Sequence, residues 1–147
     1  MSAQKQTAKS KKKSNITIAV GKRKRAVARA YLKKGKGIVK INGKKVEHYF
    51  SNYLYLKVEE VLVLAGDKAK NLDIEVNVYG GGVSGQADAV RQAIARALVQ
   101  FYDDEDLAKK FVAYDRSLLV YGPRRTEPHK PSRSKQGPRR KKQLSKR

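Results

Sequence analysis

The sequence predicts a single α/β domain held between two basic ends, and three observations carry that prediction. Leu72, Ile74, Val76 and Val78 alternate with Asp73, Glu75, Asn77 and Tyr79, the two-residue period of a strand with one buried face. Between residues 54 and 65, and again between 87 and 101, apolar residues recur at helical spacing. The cations crowd both ends: residues 1–14 hold five lysines and no acid, while residues 124–147 hold eleven lysines and arginines against one acid, Glu127. The expected divisions are a flexible basic arm over 1–14, a folded body over 15–123 and an extended tail over 124–147. A body of about 110 residues can bury roughly 60% of its unfolded surface, which is enough for one core.

Taken in order, Ile16, Ile18 and Val20 alternate as one face of a first strand, and Ala26 to Leu32 resume the pattern as a second. Between them Gly21, Lys22, Arg23, Lys24 and Arg25 make a turn with four adjacent cations. A polar hairpin tip is the plain reading, but like charges this close repel unless an anion sits among them, and a phosphate-binding loop is the reading preferred. Gly35 and Gly37 bracket the next turn, and Ile38 to Ile41 form a third strand. Asn42-Gly43 supplies the pair that most readily takes positive φ in a tight hairpin, and Lys44 to Val46 can prolong that hairpin. Leu54, Val58, Val61, Leu62 and Ala65 then mark a helix over 51–66, with Ser51 or Asn52 as N-cap and Gly66 as its stop. Tyr49, Tyr53 and Tyr55 around it are expected to pack in the core or at its rim rather than to stack on bases.

After the strand at 72–79, Gly80-Gly81-Gly82-Val83-Ser84-Gly85 opens a helix whose inward face is Ala87, Val90, Ile94, Ala97, Leu98 and Phe101. Ser84 is its expected N-cap, Asp88 falls in the first turn, and Arg91 and Arg96 lie off the apolar stripe. Asp103 to Asp106 start a shorter helix, and Ser117 to Val120 read as a short strand or extended anchor before the tail leaves at Gly122-Pro123. Gly80, Gly82 and Gly85 satisfy the dinucleotide-binding spacing, with Glu105 twenty residues further on. That acid must end a second parallel strand to reach a ribose, and here it begins a helix. The glycine turn is better read as a holder of a nucleic-acid phosphate, or as a device for close strand-to-helix packing.

Composition narrows the function. Thirty-five basic and thirteen acidic residues leave a formal charge of +22, and self-repulsion on that scale asks for a polyanion, nucleic acid first. The tail, with prolines at 128, 131 and 138 and one aliphatic side chain, Leu144, cannot offset its ordering entropy alone. Extended at about 3.3 Å per residue, it reaches roughly 80 Å. No apolar run has the length of a membrane span, no apolar block follows the basic start as in a signal peptide, and a cytosolic location is expected. There is no cysteine, and His48 and His129 stand far apart, so no metal centre or cofactor is expected. No nucleophile, carboxylate pair or pocketed lysine suggests catalysis.

Taken together, Val20 to Ala30, Asn42-Gly43, Gly80 to Leu98, Asp115 to Val120 and Pro123 to Pro128 closely resemble the universal S-nine family of small-subunit ribosomal proteins, in its archaeal type. The resemblance spans about residues 16–147. It implies an α+β domain of the kind called ribosomal protein S-five domain-two-like, a four-stranded mixed sheet with two to three helices. It further implies a place on ribosomal RNA in the subunit head, beside other head proteins, with the tail running toward the anticodon stem-loop of peptidyl-site tRNA. By position, Lys22, Arg23, Lys24, Arg25, Gly81, Gly82 and Gly85 would meet rRNA backbone. Arg124, Arg125, Arg139, Arg140, Lys141 and Lys142 would carry the tail along rRNA, and Lys146 and Arg147 would face tRNA. The last residues, Leu144-Ser145-Lys146-Arg147, depart from the Lys-Ser-Tyr-Arg ending expected of the archaeal type and lie closer to the bacterial one. The alternatives are a free nucleic-acid-condensing protein of chromatin type and a nucleotide-dependent enzyme built on Gly80 to Gly85.

Overall fold

The protein is seen in a computed structural model that describes residues 16–51 and 53–125. Among the described residues five strands, β1 (Thr17–Arg23), β2 (Ala26–Lys34), β3 (Val39–Ile41), β4 (Lys44–Lys45) and β5 (Leu72–Tyr79), form one mixed sheet in the order β1-β2-β5-β3-β4. All neighbours are antiparallel except β3 and β5. The strand beyond the expected four is β4, two lysines that return from the Asn42-Gly43 turn. Both turn residues take positive φ, 47° and 80°, as a two-residue hairpin loop requires. Asn42 also extends the sheet with its side chain: Nδ2 donates to the Val78 carbonyl at 3.0 Å, and Oδ1 accepts the Val78 amide at 2.9 Å.

The helices are α1 (Val46–Tyr49), α2 (Leu54–Ala65), α3 (Asp67–Lys70), α4 (Val83–Tyr102) and α5 (Glu105–Tyr114), followed by a 3-10 turn at Arg116–Leu118. The one-turn helices α1 and α3 carry no detectable period, and they lay outside the expected set. Gly66 stops α2 at φ 60° as expected, but Tyr53 rather than Ser51 holds the N-cap position, without a side-chain cap; Asn52 lies outside the described residues. Likewise α4 starts at Val83 behind Gly82, two residues earlier than a Ser84 cap allows. Asp104 does cap α5, accepting the amides of Asp106 and Leu107 at 2.9 and 3.3 Å. Ser117 to Val120 do not form a strand, because the Asp115 carboxylate takes the Ser117 amide at 2.8 Å and winds the chain into the 3-10 turn.

The core lies between the sheet and α4. Ala26, Ala28, Ala30 and Leu32 of β2 and Leu72, Ile74, Val76 and Val78 of β5 face Ala87, Val90, Ala93, Ile94, Ala97 and Leu98. The first strand inverts the expectation: Ile16 and Ile18 are half exposed, and the inward residues are Ala19 and Gly21. Small residues are needed there because α4 passes so close. A Cβ on Gly21 would overlap the Ala89 carbonyl and stand 2.6 Å from the Ala93 nitrogen, so Gly21 belongs to the packed strand and not to the turn. Against the other side of α4 lie Val58, Val61 and Ala65 of α2, and α5 adds Leu107 and Phe111. Tyr49 packs at this rim, its hydroxyl donating to Gln86 Oε1 at 3.2 Å.

Candidate nucleic-acid interface

The β1–β2 turn is tighter than the sequence suggests. Arg23 pairs with Ala26, leaving Lys24 and Arg25 at the tip, with Lys24 at φ 53°. A left-handed lysine is uncommon, and here it turns the tip so that Lys22, Lys24 and Arg25 stay exposed. Arg23 departs from the group of four. Its guanidinium turns back toward Asp88, with Nε 3.6 Å from the carboxylate, and lies against Gly122. Among the described residues the four cations are thus three without an acidic partner and one that ties the tip to α4 and to the chain leaving the domain.

The glycine-rich turn arrives at the same place. Gly80 and Gly81 take positive φ, 74° and 65°, and a Cβ on them would come within 2.7 Å of the Arg25 carbonyl and 2.9 Å of the Ala26 nitrogen. These two are therefore required by backbone packing against the tip. Gly82 and Gly85 are not: open space surrounds the first, and the second has only ordinary contacts, the nearest at 3.7 Å from the Arg23 carbonyl. The residues after α4 form α5 with Glu105 at its start, so the strand that a dinucleotide fold needs is absent from this position.

The chain's exit completes the cluster. Gln92 is buried on α4, 3% exposed. Its Oε1 accepts the Lys22 amide at 2.9 Å, and its Nε2 donates to the carbonyls of Ser117 and Val120 at 3.2 and 2.7 Å. Tyr121 donates its hydroxyl to the Val20 carbonyl at 3.1 Å, and Arg96 donates to the same carbonyl while stacking 4.6 Å over the Tyr121 ring. The exit segment is thereby laid along the outer edge of β1, and exposed Arg124 and Arg125 follow within three residues of Gly122. A polar notch of about 200 Å³, lined by Lys22, Arg23, Asp88, Gln92 and Gly122, marks the seam. Sequence reasoning overlooked Gln92, whose signal was a polar side chain three residues after Ala89 on a helix buried nearly all round.

The remaining α4 cation is structural. Arg91 donates to Asp115 at 2.9 Å and to Glu60 at 3.1 Å, joining α4 to α2 and to the 3-10 turn. Burial works to raise the Asp115 pKa, but the Ser117 hydroxyl and amide and the Arg91 charge outweigh it and hold the carboxyl below its usual range. Among the described residues no group of acids, histidines or cysteines could hold a metal ion, and no helix is long and apolar enough to cross a membrane. Of the expected contact residues, Lys22, Arg23, Lys24, Arg25, Gly81, Gly82, Gly85, Arg124 and Arg125 converge on one end of the domain. Arg139, Arg140, Lys141, Lys142, Lys146 and Arg147 lie outside the described residues, as does the basic arm.

Comparison with known proteins gives the same grouping. The family model described as ribosomal protein S9/S16 matches residues 21–147. Small ribosomal subunit protein uS9 of Methanococcus maripaludis is 48% identical over 130 residues, 88% of this chain and 97% of the relative. The protein of the same name from Thermoplasma acidophilum is 59% identical over 103 residues, 70% of this chain and 80% of its own. That of Methanococcus vannielii is 44% identical over 130 residues, with the same shares as the first. One match thus runs unbroken through the cationic hairpin, the glycine-rich turn and the basic tail, and the chain belongs to the ribosomal protein S9/S16 family, in its archaeal form.

Proposed function

We propose that this chain is a structural component of the head of the small ribosomal subunit, gripping rRNA with one end of its domain and sending its tail to tRNA. The observation that carries this reading is the convergence of Lys22, Lys24, Arg25, the Gly80–Gly85 turn and the Arg124-Arg125 root at a single end. Two cationic segments about a hundred residues apart in sequence meet there beside an uncharged glycine-rich turn, a costly arrangement in a free protein and a favourable one against phosphates, whose counterions are released on contact. Arg139, Arg140, Lys141 and Lys142 extend the track along rRNA, gaining charge-assisted contacts as the tail orders. Lys146 and Arg147 meet phosphates of the anticodon stem-loop in the peptidyl site, and neighbouring head proteins complete the surroundings. No cofactor, small-molecule substrate or membrane enters, and the protein performs no chemistry.

Sedimentation of a cell lysate at moderate and high salt, with this protein followed by mass spectrometry, tests the reading. Comigration with the small subunit at about one copy each, persisting through the salt wash, is the expected result. A protein that stays at the top of the gradient or follows DNA would instead be a condensing protein.

A further inference from the structure

Among the described residues, one face of the sheet has no helix on it. Its cross-strand rows run Lys22–Val27–Tyr79, Val20–Arg29–Asn77 and Ile18–Tyr31–Glu75–Lys40. None of these ten side chains is buried. Tyr79 is 50% exposed, and the Arg29 guanidinium stands 5.5 Å from its ring centre. Tyr31 lies two residues beyond Arg29 on the same side of β2.

Two features indicate what such a face accepts. Its charge is one-sided: Lys22, Arg29, Lys33 and Lys40 stand against Glu75 and Asp73, and Asp73 is already engaged by the amides of Lys36 and Ile38 at 2.8 and 3.2 Å. The face is also continuous with the cationic end, since Lys22 belongs to the hairpin tip and Tyr79 runs directly into Gly80. Planar groups bordered by cations suit unpaired bases, which stack on aromatic rings and guanidinium planes while their phosphates meet the charges. A β-sheet facing another protein's apolar surface would not need four cations in its midst.

We infer that the open sheet face around Tyr79, Arg29 and Tyr31 is a second RNA-contact surface, taking unpaired nucleotides of the rRNA held at the hairpin end. This rests on the rRNA-binding reading above, and the test separates the two. The full chain is titrated with small-subunit rRNA over a salt series, as wild type, as Tyr79→Leu and as a Lys22→Gln/Lys24→Gln/Arg25→Gln variant. Tyr79→Leu keeps apolar bulk but removes the stacking plane, and it should weaken binding roughly five- to hundred-fold with an unchanged salt slope. The tip variant should flatten the slope by roughly 0.7 to 0.9 per lost phosphate contact. Wild-type affinity for Tyr79→Leu beside a flattened tip variant overturns the sheet inference and leaves the main reading standing; no binding by any of the three proteins removes both. In assembled subunits, ultraviolet crosslinking should place nucleotide adducts on the peptides of Tyr79 or Tyr31. Crosslinks from Lys33 or Lys40 to a neighbouring protein, with no nucleotide adduct on either tyrosine, would give the face to a protein and overturn the inference.

Discussion

Gln92 and Lys22, seventy residues apart, are joined by a 2.9 Å hydrogen bond in which a side-chain oxygen on α4 accepts the backbone amide of the edge strand. The nitrogen of the same Gln92 side chain donates to the carbonyls of Ser117 and Val120. One buried side chain therefore fixes the hairpin tip relative to the root of the tail, and whatever binds both meets them in a set geometry. Gln92→Leu keeps the volume but leaves the Lys22 amide and two carbonyls without that partner. A fully buried unsatisfied group costs about 1–3 kcal/mol; these three are part-buried, and we expect a loss of about 1–2 kcal/mol in urea unfolding. Amide exchange should accelerate first at Lys22 and at the 3-10 turn. Unchanged exchange there would show that the seam is held by Arg96 and Tyr121 alone.

Glycines around the interface divide into two kinds, and substitution separates them. Gly21→Ala drives a methyl group into the α4 backbone, so strand and helix must part. Overpacking of this kind typically costs about 1–3 kcal/mol, and thermal denaturation should show it. Gly82→Ala meets open space at φ −105°, and it should leave stability within about 0.5 kcal/mol. If Gly82→Ala nonetheless weakens rRNA binding, the glycine is there for the approach of a phosphate; an unchanged affinity makes it a plain connector.

These glycines also illustrate what was legible in the sequence. The alternation of β5, the positive-φ pair Asn42-Gly43 and the acidic start of α5 were readable because each depends on local chemistry. The orientation of β1 was not. Ile16 and Ile18 outweigh Ala19 in any hydrophobic count, yet the inner face went to the small residues because the nearness of α4, far along the chain, forbids large ones. The 3-10 turn at Arg116–Leu118 escaped for a related reason, since Ser117 to Val120 read as extended until the Asp115 side chain and the Gln92 donor are in place. The site was legible as charge, but its convergence on one end is a property of the fold.

Asp115 gives the fold a pH dependence of definite sign. Its carboxyl is held below the usual value in the folded protein by Ser117 and Arg91, against the opposing effect of burial, while in the unfolded chain it titrates near 3.9. The carboxylate therefore contributes stability that is present above about pH 4 and is lost as the pH falls through the lower folded value. Asp115→Asn should be less stable than wild type at pH 7 by about 1 kcal/mol, a modest figure because the side chain is partly exposed. The difference should shrink toward zero when the pH is taken from 7 to an acid value below the lowered folded pKa. Urea unfolding at the two pH values measures it, and a gap independent of pH would assign the loss to the Ser117 turn geometry instead of to charge.

The tail separates the ribosomal reading from condensation by charge alone. Its root is fixed by Gln92 and Tyr121, so the order of residues in the sequence sets how far from the hairpin end each cation can reach, which matters only if the partner is a structured track. Removing Lys146 and Arg147 should leave subunit assembly intact while weakening peptidyl-site tRNA binding roughly two- to thirty-fold, taking each exposed phosphate contact at about 0.2–1 kcal/mol. Scrambling residues 126–147 at fixed composition preserves every charge and should still impair tRNA binding, because the order of prolines and cations sets where the charges fall. A condensing protein would tolerate the scramble and lose affinity only in proportion to the two deleted cations. Filter binding of tRNA to subunits carrying each variant distinguishes the outcomes: full activity in the scrambled tail would refute the positional role of its last residues.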